Sequence, residues 1–144
     1  MSRKQVYIAC VTGQYNCERI IAAASCIAQD AGASLEIVSV LNGCSSEESL
    51  EALEYLHGIA KAAGARMTIL YNDNPVLAVT EYIKHIKAPI VITGVPGADT
   101  KNNGFISLLS SILPKVKIIS IPESVTDNDY DTSDLIKAAA NCQV

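Results

Sequence analysis

Positive charge is scarce in this chain: 11 Lys and Arg stand against 15 Asp and Glu over 144 residues, a formal charge of −4. Nucleic acid binding draws its affinity from cations that displace counterions, so a nucleic acid partner is excluded, and anionic lipid is disfavoured on the same ground. No apolar run reaches the roughly 18 residues of a membrane span. Met1-Ser-Arg-Lys4 leads straight into an apolar strand rather than into the apolar core of a signal peptide, so a cytoplasmic protein with no membrane partner is expected. The cysteines, at 10, 17, 26, 44 and 142, are odd in number and form no C-x-x-C pair, which fits reduced thiols better than disulfides or a zinc site. His57 and His85 have no cysteine or carboxylate at a metal-ligand spacing; they are read as structural, and no metal is expected. No Ser-His-Asp set, H-E-x-x-H motif or paired carboxylate can be argued from spacing, so no catalytic residue is nominated.

What the chain does have is alternation. Five short β-branched runs recur, at Gln5 to Val11, Leu35 to Leu41, Met67 to Leu70, Pro89 to Thr93 and Val116 to Ile121, and each of the first four is followed by a helical pattern. Helix one is predicted from Cys17 to Ala31, with Asn16 as N-cap and Gly32 past its end. Helix two opens on the capping-box pattern Ser45-Ser46-Glu47-Glu48, places Leu53, Leu56, His57, Ala60 and Ala63 on its apolar side and stops at Gly64. Asn74-Pro75 starts helix three, with Val76, Val79, Ile83 and Ile86 inward, and helix four runs from Asn103 to Leu113 with Phe105, Leu108, Leu109 and Ile112 inward. Near-continuous apolar strands separated by helices imply a five-stranded parallel sheet covered on both faces, a doubly wound α/β domain. That domain is assigned to residues 1–121. Residues 122–144 are assigned to an acidic linker and a short C-terminal helix capped by Ser133.

In an open parallel sheet, ligands bind beyond the carboxyl ends of the strands, where the strand order reverses. With strand one central and strand four beside it, the loops Thr12-Gly13-Gln14-Tyr15-Asn16 and Gly94 to Gly104 meet there, each carrying glycine and each entering a helix N-terminus. Such turns bring backbone N–H groups close to a phosphate; the same glycines also suit plain strand-to-helix turns. The sequence matches neither G-x-x-x-x-G-K-[ST] nor G-x-G-x-x-G, and Asp99 and Lys101 nearly cancel, leaving amides and hydroxyls to hold an anion. Cys17 falls at the first turn of helix one, where the helix dipole favours a thiolate. Glu18 opposes ionisation, and a small buried apolar role is the plainer reading.

With these residues, the chain from about 4 to 121 resembles the universal stress proteins, UspA-like domains of the adenine nucleotide alpha hydrolase-like, Rossmann-like class. Val11-Thr-Gly-Gln-Tyr-Asn-Cys-Glu-Arg-Ile-Ile21 and Glu51-Ala-Leu-Glu-Tyr-Leu56 are similar to small stand-alone members. The resemblance implies strand order 3-2-1-4-5, a stress-associated role, and an adenine nucleotide, ATP or AMP, held by Thr12, Gly13, Val40, Gly94, Gly97, Gly104 and Ser107; the apolar last strand, Val116 to Ile121, at a sheet edge points to a homodimer. Nucleotide-binding members carry Asp where this chain has Thr12, and nine residues then G-[ST] after G-x-x-G. Here six residues separate Gly97 from Gly104, and Phe105 takes the hydroxyl position. Two further functions compete with a non-catalytic binding protein. One is a ligand-free protein-interaction module, favoured by Phe105 and the short loop; the other is slow nucleotide hydrolysis, with Asp99 as the loop carboxylate for Mg²⁺.

Overall fold

A computed structural model describes residues 5–43, 45–94 and 101–121, with side chains from Ile106 onward in the last span. Gly97, Asp99, Cys44, Cys142 and the whole predicted linker and C-terminal helix lie outside the described residues, as do the side chains of residues 101–105. Strands β1 (Val6–Cys10), β2 (Ser34–Leu41), β3 (Arg66–Tyr71), β4 (Ile90–Gly94) and β5 (Lys117–Ile121) pair in parallel in the order β3-β2-β1-β4-β5. Between them run α1 (Glu18–Ala31), α2 (Glu47–Ala62), α3 (Pro75–Ile86) and α4 (Lys101–Ile112). This is the doubly wound α/β fold expected from the alternation, with boundaries moved by one or two residues.

The two sheet faces are read directly from strand alternation. Ala9, Ile37, Ile92 and Ile121 point to the face covered by α1 and α2, against Ile21, Ala24, Ile27, Leu53, Leu56 and Ala60. Ile8, Val38 and Val91 point to the other, against Val79 and Ile83 of α3 and Leu109 of α4. Two layers of helix therefore cover the central strands β2, β1 and β4 on both sides, and these can be almost wholly apolar, while β3 at one edge holds no buried residue.

Among the described residues, one charged side chain breaks that rule. Glu36, in β2, is 8% exposed amid apolar neighbours. Its carboxylate accepts from the Tyr82 hydroxyl of α3 at 2.8 Å and from Thr68 Oγ1 of β3 at 3.5 Å, while Thr68 Oγ1 and the Tyr82 hydroxyl lie 3.2 Å apart. A buried carboxylate is tolerated only when hydrogen-bonded, so this group ties α3 to two strands. Burial, followed by the neighbouring carboxylate, pushes the Tyr82 phenol above its ordinary value against the Thr68 bond and the positive charge of Arg66. Burial likewise pushes the Cys10 thiol at the end of β1 from 9.0 up to about 12. The folded state thus keeps a proton that the unfolded chain releases above pH 9. The contribution of Cys10 is complete below that pH and lost as pH rises toward 12. Stability is expected to fall by up to about 1.4 kcal/mol per pH unit above 9 from this group. Urea titrations at pH 8, 9.5 and 10.5 should show a shallower fall in Cys10→Ala.

Helix ends follow local chemistry, with some departures from expectation. Gly32 (φ 68°) and Gly64 (φ 76°) end α1 and α2 in the left-handed conformation that glycine adopts without strain, and Lys87 (φ 63°) does so after α3. Asn74 caps α3, accepting from the Leu77 amide at 3.1 Å, with Pro75 in the first turn. Asn16 does not cap α1. It sits in a single 3-10 turn, Tyr15–Cys17, and Cys17 occupies the cap without a side-chain bond, because this turn already delivers the chain in a helical direction. The cap of α2 is Ser46, which accepts from the Ser49 amide at 3.1 Å; the third helical position is therefore Ser49, and no glutamate completes a capping box.

Two expected faces are corrected. His57 is exposed, as only Ala52, Leu53, Leu56 and Ala60 of α2 are fully buried. Among the described side chains of α4, Leu109 is buried as expected, followed by Leu113 past the helix end, while Leu108 (52%) and Ile112 (44%) are exposed. That helix lies over the β4–β5 margin of the sheet, where a narrow stripe suffices.

Candidate functional site

β1 and β4 are neighbours, yet their helices leave toward opposite faces, α1 to one and α4 to the other. The strand order therefore reverses between them, the position beyond whose strand ends ligands bind in open parallel sheets. The structure thus brings the end of β1 and its loop beside Gly94. Gly97 lies outside the described residues. Val40, half-buried on the α3 face of β2, stands one strand over.

The β1 loop is tightly folded on itself. The Gln14 amide donates to Thr12 O at 2.8 Å and the Cys17 amide to Gln14 O at 3.0 Å, so these two N–H groups are already engaged. Thr12 is exposed, and its Oγ1 lies 3.5 Å from Cys17 Sγ. Cys17 itself is 4% exposed and belongs to the core against α1, which leaves its thiol shielded from solution reagents and supports the small buried role.

Gly13 has a role that sequence spacing does not show. A β-carbon there would lie 2.7 Å from both Ser49 Cβ and Ser49 O, and 2.8 Å from Ser49 Cα. Its missing side chain makes room for the first turn of α2. Above it, the Tyr15 and Tyr55 rings meet at 5.2 Å, and the Tyr55 hydroxyl donates to Glu18 Oε2 at 2.7 Å. That carboxylate, as acceptor and negative neighbour, pushes the Tyr55 phenol upward. The β1 loop is thus clamped to α2.

At Gly94 the missing side chain opens toward α1: a β-carbon would meet Ile20 Cδ1 at 3.0 Å and Arg19 Nη2 at 3.3 Å. Arg19 Nη1 donates to Asn16 O at 2.8 Å. A guanidinium therefore stands between the β1 loop and the end of β4, in a place where the sequence offered only amides and hydroxyls. A single arginine on an amphipathic helix gives no signal of this, because only the crossing of α1 over the two strand ends brings it there.

α4 begins at Lys101, two residues earlier than expected, so Gly104 is its fourth residue and Ser107 its seventh. Unpartnered N–H groups belong to a helix's first turn, and a rise of 1.5 Å per residue puts Ser107 about 9 Å further along the axis. Ser107 is exposed there and offers a hydroxyl but no free amide.

An open hollow of about 640 Å³ lies on the other side of the β1 loop, lined by Gly13, Gln14, Tyr15, Asn16, Glu48, Glu51 and Ala52. It faces α2 rather than β4, and the two glutamates disfavour an anion there. Among the described residues no group of three or more His, Cys, Asp or Glu could hold a metal ion, and no helix is long and apolar enough to cross a membrane.

No family model matches the chain, and no curated protein matches it in sequence. Solved structures share its fold. A universal stress protein in complex with cAMP superposes with a TM-score of 0.63 at 21% identity, over 85% of this chain and 100% of that one. The universal stress protein UspA from Lactobacillus plantarum gives 0.61 at 15% identity over 84% and 99%. The universal stress protein from Archaeoglobus fulgidus in complex with dAMP gives 0.54 at 18% over 85% and 98%. At these identities the likeness establishes the fold.

Proposed function

We propose that this chain is a universal stress-type protein of the cytoplasm that binds an adenine nucleotide, AMP or ATP, without turning it over. Its ligand contacts are assigned to Thr12, Gly13, Val40, Gly94, Gly97, Gly104 and Ser107, the residues that the sequence offers at and after the ends of strands one, two and four. The observation that carries the reading is the convergence of the β1 loop and Gly94 at the strand-order reversal, with a guanidinium between them. Two proteins of the same fold hold cAMP and dAMP, which supports adenine as the base. The protein acts as a homodimer through the margin where β5 is the sheet edge and Leu108 and Ile112 of α4 are exposed.

Denaturing the purified protein and analysing the supernatant by mass spectrometry tests the ligand, with calorimetric titration of AMP and ATP and a phosphate-release assay beside it. Co-purified or titratable adenine nucleotide without turnover is expected. Turnover would replace the binding protein with the hydrolase. Absence of both binding and retained nucleotide would leave the ligand-free interaction module, which the inward-turned amides of Gln14 and Cys17 favour. Light scattering at micromolar concentration should give a dimer mass; a monomer mass rejects the β5 pairing.

A further inference from the structure

Charge is sorted along this fold. Residues 1–121 hold ten Lys and Arg against ten Asp and Glu, and residues 122–144 hold one against five, so the tail carries the whole formal charge of −4. Among the described residues, Glu18, Glu47, Glu48, Glu51 and Asp73 stand at the carboxyl ends of the strands. Every described Lys and Arg side chain except Arg19 stands at the amino ends, where Asp30, at the end of α1, opposes them. Three of these lysines gather at the β4–β5 margin. The Lys117 amide donates to Pro89 O at 3.0 Å, so the segments entering β4 and β5 run side by side, and Ile86 and Ala88 share an apolar cluster with Leu113 and Val116. Lys87 and Lys115, each two residues before a partner in that bond, are exposed there, and Lys84 is exposed in the last turn of α3. Glu81, one turn earlier on α3, offsets them only in part.

Building on the homodimer reading above, we infer that the cluster of Lys84, Lys87 and Lys115 is the dock for the acidic segment 122–134 of the second copy, so that the two tails are exchanged. Strands paired edge to edge across a two-fold axis run antiparallel. An axis at Ile119, the middle of β5, sets Ile121 of one copy opposite Lys117 of the other. Each tail thus leaves the carboxyl end of its own sheet, with its like-charged glutamates, beside the lysines of the other copy. Reaching its own cluster would take the segment back along all five residues of β5, about 17 Å, over the margin that the second copy covers. Glu123, Asp127, Asp129, Asp131 and Asp134 supply the carboxylates, and residues 122–134 contain no Lys or Arg. A single exposed ion pair contributes little, but several at each of two docks add, and tethering gives the segment an effective concentration that a free anion lacks.

Zero-length carbodiimide cross-linking of the full chain tests this, on an equal mixture of ¹⁵N-labelled and unlabelled copies left to exchange subunits, with light scattering beside it. The reagent joins only a lysine amine and a carboxylate already in contact, and peptide mass spectrometry tells links within one copy from links between two. Lys84, Lys87 and Lys115 should join the carboxylates of residues 122–134 in mixed-isotope pairs, and the yield should fall in about 0.5 M NaCl, which screens exposed charges. Lys87→Glu with Lys115→Glu should weaken the dimer about tenfold in low-salt sedimentation, and adding Asp129→Lys with Asp131→Lys should restore it, with thermal unfolding to confirm that the variants fold. A dimer whose tail links stay within single copies overturns the exchange and leaves the homodimer reading standing. A dimer whose tails link to none of the three lysines, or whose affinity is unchanged by the two lysine substitutions, overturns the dock. A monomer mass sinks the homodimer reading and the exchange with it.

Discussion

Gly13→Ala is expected to destabilise the protein by about 3 kcal/mol, the upper end of the usual cost of overpacking. Alanine ordinarily stabilises a loop by restricting the unfolded chain, and Gly13 has no left-handed backbone that would forbid a side chain. The expected sign therefore comes wholly from space. The added carbon would sit 2.7 to 2.8 Å from three atoms of Ser49, two of them backbone. No rotamer change can relieve that, and either the β1 loop or the first turn of α2 must move. Moving α2 strains the Ser46 cap and the Tyr15–Tyr55 contact; moving the loop shifts Asn16, and with it the anchor of Arg19. A urea titration should show the midpoint falling at unchanged slope. A midpoint equal to or above wild type would show that the loop yields freely and that the contact is soft.

The same residue shows how far the sequence carries. Glycine after a central strand reads as a ligand turn, and in position it is one; its packing against α2 depends on a pairing of segments 36 residues apart that no local pattern encodes. The architecture was legible because its signals are local and repeated: apolar strands, amphipathic helices, Asn74-Pro75, Gly32 and Gly64. The failures were of two kinds. In and just past α4, Ile106, Leu108, Leu109, Ile112 and Leu113 give apolar residues on more than one side, so the periodicity has no unique phase; Leu109 is buried as expected, but Leu108 and Ile112 face out. Arg19 was silent for the opposite reason, since a charge on an amphipathic helix resembles solvated surface until the tertiary fold lays it over Gly94. Glu36 did leave a signal. A lone carboxylate within Leu35-Glu-Ile-Val38 is misplaced in a strand buried on both faces unless a partner such as Tyr82 meets it.

Leu56→Ala is expected to cost about 2–5 kcal/mol, the range for emptying a buried leucine site. Leu56 is fully buried between α2 and the sheet, in the cluster that holds Ile21, Ile37 and Leu53. It follows Ser49 by seven residues, two turns along nearly the same face, so the residue that presses on Gly13 and the residue that fixes the depth of α2 share one stripe. Their variants should therefore couple. Vacating the Leu56 site lets α2 settle toward the sheet or tilt, and a tilt that withdraws its first turn relieves the clash made by Gly13→Ala. The double variant is expected to be less destabilised than the sum of the two, by about 0.5–1 kcal/mol, within the range seen for residues coupled through a shared element. Strict additivity would mean that α2 responds at the two positions independently. The β1 loop would then be positioned by its own turn and not by the helix behind it.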